Sequence, residues 1–223
     1  MTELRQIEVG IKNKRKHTFN VQNITNEEYV MSKQAKTFTA TEIRRVLDFV
    51  ATRKHALRNR AMVLITFYCG LRAKEVANLR YADVLTNENT IKSEIRLDAV
   101  QTKGHYGRVL FVNEKLKKEL QAYITATPYK NLTDKLFYTQ KHNDSGFTAN
   151  TCAQFFHFLY KKVGIEGASS HSGRRTFITN LASKGVGVRV LMALAGHRNI
   201  TTTQAYIDVN DDMKRSAVEL ISM

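Results

Sequence analysis

Chemistry on a phosphate can rest on basic side chains, and six positions of this chain hold suitable residues in a suggestive order. Arg72 opens a helix pattern just after a Gly-Leu turn and has Glu75 three residues on. Lys103 sits at a glycine-flanked hairpin tip. His171 and Arg174 stand at i, i+3, which puts them on one helix face. His197 follows the helix-ending Gly196, and Tyr206 comes nine residues later on a short helix.

Other reaction centres have no sequence support. There is no GxxxxGK[ST] phosphate loop, no HExxH and no Cys/His cluster, so neither nucleotide hydrolysis nor a built-in zinc site is expected. The acidic residues are scattered and form no two-metal nuclease set. No metal and no cofactor is expected. Each of the six positions also has a plainer reading on its own. Arg72 fits a solvated charge, Lys103 a surface lysine, and His171 a satisfied core histidine. His197 fits a helix-end cap, and Tyr206 a half-buried core tyrosine between Ala205 and Ile207. Arg175 and Arg198 fit phosphate contacts or charged surface. Arg108 fits a hairpin brace or a DNA contact.

The 223 residues include 35 Lys+Arg against 20 Asp+Glu, a formal charge of +15, with a pI near 9.9. Hydrophobic residues at 43% and charged residues at 25% are globular values, which argues against wholesale disorder. The excess charge points to a polyanion, nucleic acid first and an anionic membrane surface second. The membrane reading is weak, because no apolar run reaches about 18 residues. The most apolar run, Ala61 to Leu71, is flanked by Arg60 and Arg72. The first residues have no apolar core for a signal peptide. Cys69 and Cys152 form neither a zinc spacing nor a disulfide framework, so a reducing cytoplasm is the expected location.

The elements that must position these residues follow from periodicity and punctuation. Residues 1–36 read as a basic arm or small appendage with the cluster Lys12, Lys14, Arg15, Lys16, or as a solvated tail. They hold seven basic against four acidic residues, so +12 of the total belongs to residues 37–223. The main domain, 37–223, opens with a capping box at Thr39-x-x-Glu42, and Ile43, Val46, Leu47 and Val50 form one apolar helical face. A helix from about Arg58 to Cys69 is apolar nearly all round and should be central, with Gly70 ending it. A short helix follows over about 73–79. Residues 91–98 alternate apolar and polar as a half-buried strand, 102–107 reads as a hairpin turn, and 108–112 as the returning strand. Leu116, Leu120, Tyr123 and Ile124 mark a helix that stops before Pro128. Another runs over about 150–163 with Phe155, Phe156, Phe158 and Leu159 as core. Helices follow over 171–183, 188–195, 202–207 and about 211–221. The expected fold is mainly α with a small antiparallel β-sheet (α+β).

Four stretches resemble the tyrosine recombinase, or phage integrase, family. Gly70-Leu71-Arg72-Ala73-Lys74-Glu75 is similar to its first arginine box. Thr102-Lys103-Gly104 followed by Arg108 resembles its hairpin lysine, and His171-Ser172-Gly173-Arg174 its H-x-x-R box. Ala195-Gly196-His197, then Thr202-Thr203-Gln204-Ala205-Tyr206, resembles its closing motif. The resemblance covers about 37–223 and implies the tyrosine recombinase catalytic-domain fold. It also implies roles. Tyr206 attacks a phosphodiester and leaves a 3′-phosphotyrosyl link without ATP. Arg72 and Arg174 clamp the non-bridging oxygens, and Lys103 protonates the departing 5′-oxygen. His171 accepts the tyrosine proton or orients the phosphate, His197 hydrogen-bonds a phosphate oxygen, and Glu75 braces the boxes. Apart from the resemblance, Lys12, Lys14, Arg15, Lys16, Arg108, Arg175 and Arg198 are the further candidate DNA contacts.

Most of the family carries a core-binding domain ahead of the catalytic one, where this sequence has about 36 residues. The reading is therefore a short member lacking a full N-terminal core-binding domain, bacterial or phage-encoded and nucleoid-associated when bound. Gly173-Arg174-Arg175 replaces the commoner Leu-Arg-His, which alters local packing. The resemblance implies double-stranded DNA as partner and a dimer or tetramer on it. The last helix, with Ala217, Leu220 and Ile221 apolar, is expected to dock on a neighbour or to pack in cis. Three functions are compatible: a site-specific recombinase, an accessory DNA-binding protein assisting a host Xer-type recombinase, and a type IB topoisomerase-like enzyme.

Overall fold

The computed structural model describes residues 34–102, 106–139, 146–207 and 211–221. They form a mainly helical body with one two-stranded sheet. Helix α1, Ala40–Ala51, begins at the expected box: Thr39 accepts from the Glu42 N–H, and the Glu42 carboxylate accepts from the Thr39 N–H. Its buried side is Val46 and Val50, with Ile43 and Leu47 half-buried beside them. That face packs on α2, Ala56–Cys69.

Helix α2 is central, as its all-round apolarity requires. It packs against α1, α5 (Glu114–Thr125) and α7 (Ser172–Ala182). Even its Arg58 is buried, donating to Asn59 Oδ1 and Tyr138 O rather than reaching water. Two glycines set how closely the chain approaches. Gly70 leaves α2 at φ +62°, and a Cβ there would meet the Phe177 ring at 2.5 Å. A Cβ at Gly173 would overlap Thr66 Oγ1, so this glycine lets α7 lie close on α2.

Helices α3 (Ala73–Asn78) and α4 (Tyr81–Val84) lead to β1, Glu94–Leu97, which pairs antiparallel with β2, Arg108–Phe111. Ile95 and Leu97 face inward and Glu94 and Arg96 outward, as alternation predicts. The connection differs from the expected simple turn: Ala99–Gln101 form a 3₁₀ turn before it. The Asp98 N–H donates to Gln101 Oε1, and this local bond ends the strand early. In α6, Ala149–Lys162, the core face is Cys152, Phe156, Leu159 and Tyr160. Phe158, expected in the core, is 54% exposed, because i, i+4, i+7, i+8 from Cys152 passes it by.

Helices α8 (Val188–Ala195) and α9 (Ile200–Gln204) pack on each other, and α8 also on α7. Helix α9 starts and stops earlier than expected, so Tyr206 lies two residues beyond its end. The last helix, α10, is Asp211–Val218, with Val218, Leu220 and Ile221 exposed. Among the described residues, no helix is long and apolar enough to cross a membrane.

Candidate active site

The site forms at the C-terminal end of α8. The last carbonyls of a helix have no partner within it and carry the negative end of its dipole. Here three consecutive carbonyls each receive a different arginine. Arg108 Nη1 donates to Leu194 O at 2.6 Å, Arg174 Nη2 to Ala195 O at 2.5 Å, and Arg72 Nη2 to Gly196 O at 3.4 Å. Gly196 turns the chain at φ +62°, and a Cβ on it would lie 2.6 Å from Arg108 Cδ.

The same arginines reach the turn after α2. Arg174 Nη1 donates to Gly70 O at 2.6 Å, and Arg108 Nη2 lies 3.4 Å from that oxygen. The two glycine turns are thus tied by guanidinium forks from α7 and β2. Glu75 on α3 is the counter-charge. Its Oε1 accepts from Arg72 Nη1 at 3.0 Å, and its Oε2 accepts from the Arg72 N–H at 2.8 Å and Arg108 Nη2 at 2.7 Å. The Glu75 side chain is 0% exposed. Burial alone would raise its carboxyl, but the charge of Arg108 and the N–H and charge of Arg72 hold it below the ordinary carboxylate range.

Three arginines against one carboxylate leave an excess of positive charge in a water-poor setting. Its effects are visible on its neighbours. Burial, then the charges of Arg72 and Arg108, bring Arg174 down to about 9. Burial, then Arg174, Arg72 and Arg108, bring His197 down to about 4, so its imidazole is neutral at pH 7. Arg174 is 2% exposed, whereas the Arg72 side chain keeps 19% exposure and is the more accessible fork.

Tyr206 joins the cluster through its ring. It stacks on His197 with centroids 5.6 Å apart and planes at 24°. The Arg175 guanidinium lies 5.3 Å from the Tyr206 ring centroid, and the Tyr206 carbonyl accepts from Thr179 Oγ1 on α7 at 3.3 Å. Arg175 also holds Thr37 Oγ1 at 3.1 Å and Gln34 Oε1, linking the start of the described chain to the tyrosine.

The structure therefore brings together Arg72, Glu75, Arg108, Arg174, Arg175, His197 and Tyr206. His171 occupies the N-cap position of α7 and is exposed, while Arg174 one turn on is turned inward. Arg198 is exposed and stacks on Tyr106, 3.5 Å from the ring centroid, which ties the loop after α8 to the hairpin. Lys103 and the cluster Lys12, Lys14, Arg15 and Lys16 lie outside the described residues. Thr102, next to Lys103, is held: its Oγ1 donates to Tyr106 O at 2.7 Å, and its carbonyl accepts from Lys74 Nζ at 2.9 Å.

Arg108 belongs to the interior, with 7% of its side chain exposed, and its bonds to Glu75 and Leu194 O are those of a brace. The sequence held the signal for this. Arg108, Leu110 and Val112 are two apart on one strand face, and the other two are apolar and buried. Lys74 and Thr203 also touch these elements, through Thr102 O and His197 Nδ1, and residue type alone does not single out either.

A helical body whose arginines converge on one helix end, with a tyrosine stacked alongside, is the catalytic-domain fold of tyrosine recombinases. The crystal structure of XerA recombinase superposes with a TM-score of 0.65 at 26% identity, over 84% of this chain and 66% of that one. The Tn1549 transposon integrase, solved with transposon right end DNA, gives 0.63 at 24% identity over the same shares. The chain belongs to the phage integrase family, whose model matches residues 36–213. A tyrosine recombinase of Pseudothermotoga lettingae is 31% identical over 178 residues, which are 80% of this chain and 58% of that protein. The chain thus spans less than two thirds of that relative's length.

Proposed function

We propose that this chain is a site-specific DNA recombinase that cleaves and rejoins strands through Tyr206, with residues 37–223 as its catalytic domain. The Tyr206 oxygen bonds to phosphorus as the bond to the 5′-oxygen breaks. The products are a 3′-phosphotyrosyl link and a free 5′-hydroxyl, and the reverse step needs no ATP because the link conserves the phosphodiester energy. His171 takes the tyrosine proton or orients the phosphate, and Lys103 supplies the proton to the 5′-oxygen. Arg72 and Arg174 hold the non-bridging oxygens, and neutral His197 adds one N–H.

The observation that supports this most is the cage of three guanidiniums on the carbonyls of Leu194, Ala195 and Gly196. Each fork has five donors and spends some on the protein, which fixes its plane before substrate arrives. A phosphate entering there meets positive charge that a single carboxylate does not cancel.

The partner in this reading is double-stranded DNA, met also by Arg198 and Arg175 and by the basic arm of residues 1–36. The protein acts as a dimer or tetramer on DNA. The exposed Val218, Leu220 and Ile221 suit docking on a second copy. A groove of about 550 Å³ lined by Val109, Phe111, Val190, Ala193 and Leu194, together with Arg108 and Arg189, is mostly apolar.

The test is cleavage of a nicked suicide duplex that traps the covalent product. The wild type should give a protease-sensitive protein–DNA adduct, and Tyr206→Phe none. An adduct that survives Tyr206→Phe overturns the nucleophile assignment. Recombination restored in Tyr206→Phe by a host Xer-type recombinase would move the protein to the accessory role. Relaxation of plasmids without a specific site would move it to the topoisomerase-like reading.

A further inference from the structure

The ring of His197 has one contact that decides where its proton sits. Its Nδ1 lies 2.9 Å from Thr203 Oγ1 on α9, and the Thr203 residue is 0% exposed. Either atom can donate in principle, so the choice depends on the alternatives open to the hydroxyl. Other buried threonines in helices return their proton to a carbonyl of the preceding turn: Thr66 to Val63 O and Thr176 to Ser172 O, both at 2.7 Å. Thr203 makes no such bond among the described residues, and its only hydroxyl partner there is His197 Nδ1. If Nδ1 carried the ring proton, it would donate to Oγ1 and the buried O–H would be left without an acceptor. A buried unsatisfied donor is unfavourable, whereas O–H to Nδ1 satisfies both groups.

We infer that Thr203 is a positioning residue, which fixes the tautomer of His197 with its single proton on Nε2. Nδ1 is then committed to the protein, and Nε2–H is the ring's remaining donor. The three neighbouring guanidiniums work in the same direction, because they disfavour a second ring proton that would erase the distinction. A neutral ring with Nε2–H can donate to a phosphate oxygen, and the opposite tautomer would present a lone pair to it. The tautomer itself is independent of the reaction. Its kinetic consequence rests on the reading of His197 as a phosphate ligand.

The direct test is nitrogen NMR of the full chain labelled in its histidine rings, with His197→Asn assigning the signals. The expected spectrum has Nδ1 in the unprotonated range and Nε2 in the protonated range at pH 7. A proton on Nδ1 of the wild type overturns the inference. In single-turnover cleavage of the suicide duplex, Thr203→Val should slow the rate constant about 10-fold with DNA affinity unchanged. Thr203→Ser, which keeps the hydroxyl, should restore it to within about 3-fold. Cleavage at the wild-type rate by a folded Thr203→Val protein overturns the positioning role. If His197→Asn cleaves as fast as wild type, the phosphate-ligand reading fails, while the NMR result still decides the tautomer.

Discussion

Removing the charge of Glu75 should unfasten the site more than any other isosteric change. In Glu75→Gln the side chain keeps its volume and one oxygen acceptor but loses its charge. The wild-type carboxylate is fully buried and accepts from Arg72 twice and from Arg108 once. Deleting one partner of a buried ion pair leaves uncompensated charge and typically costs about 3–5 kcal/mol. Here two guanidiniums are stranded, but Gln can still accept one bond, so about 3 kcal/mol is expected. For a domain of this size that is a fall in Tm of roughly 6–12 °C. Arg108 is the partner to remove in a double-mutant cycle, because it is the more buried of the two. Arg108→Met with Glu75→Gln should be less damaging than the sum of the single changes by at least about 1.5 kcal/mol. Urea unfolding at pH 7 followed by circular dichroism measures all four corners. A Glu75→Gln protein within about 0.5 kcal/mol of wild type, or additive single changes, would refute the claim that this carboxylate is the counter-charge holding the arginines.

Three further outcomes are expected. His197 is depressed to about 4 in the folded state, against about 6.5 unfolded. Its contribution is therefore complete above pH 6.5 and is lost as pH falls through 4, by at most about 3 kcal/mol. Unfolding free energy measured from pH 7 to 4 should fall less steeply in His197→Asn. Gly173→Ala should lose about 1–3 kcal/mol through overlap with Thr66, and the loss should shrink when Thr66 is also changed to Ala in the same thermal scan. Phe158→Ser should shift stability by less than about 0.5 kcal/mol, whereas Phe156→Ala, on the buried side of α6, should cost about 3–5 kcal/mol by chemical denaturation.

The parts of the fold that were legible in the sequence are those with a local cause. The Thr39–Glu42 box, the left-handed exits at Gly70 and Gly196, and the alternation around Ile95 and Leu97 all depend on residues within a turn of one another. Over α6 the expectation for Phe158 fails because four large apolar residues lie within five positions, and periodicity cannot say which faces outward until Cys152 and Tyr160 are counted. The order of the basic residues and the tyrosine was legible, but their convergence was not. Arg72, Arg108 and Arg174 are spread over about a hundred positions and meet only because α8 ends where α2, β2 and α7 converge. Such long-range bonds to carbonyls leave no trace in residue type. The same holds for Thr203, whose hydroxyl lies 2.9 Å from a histidine on the preceding loop.

The central claim is that Tyr206 attacks a phosphodiester held by this arginine cage. The most direct measurement is mass spectrometry of the peptide that retains DNA after suicide-substrate cleavage and nuclease trimming, with chemical analysis of the released strand end. A single modified peptide is expected, with the nucleotide attached by its 3′-phosphate to the oxygen of Tyr206, and a free 5′-hydroxyl on the other strand end. Attachment at any other residue, or through a 5′-phosphate, would contradict it.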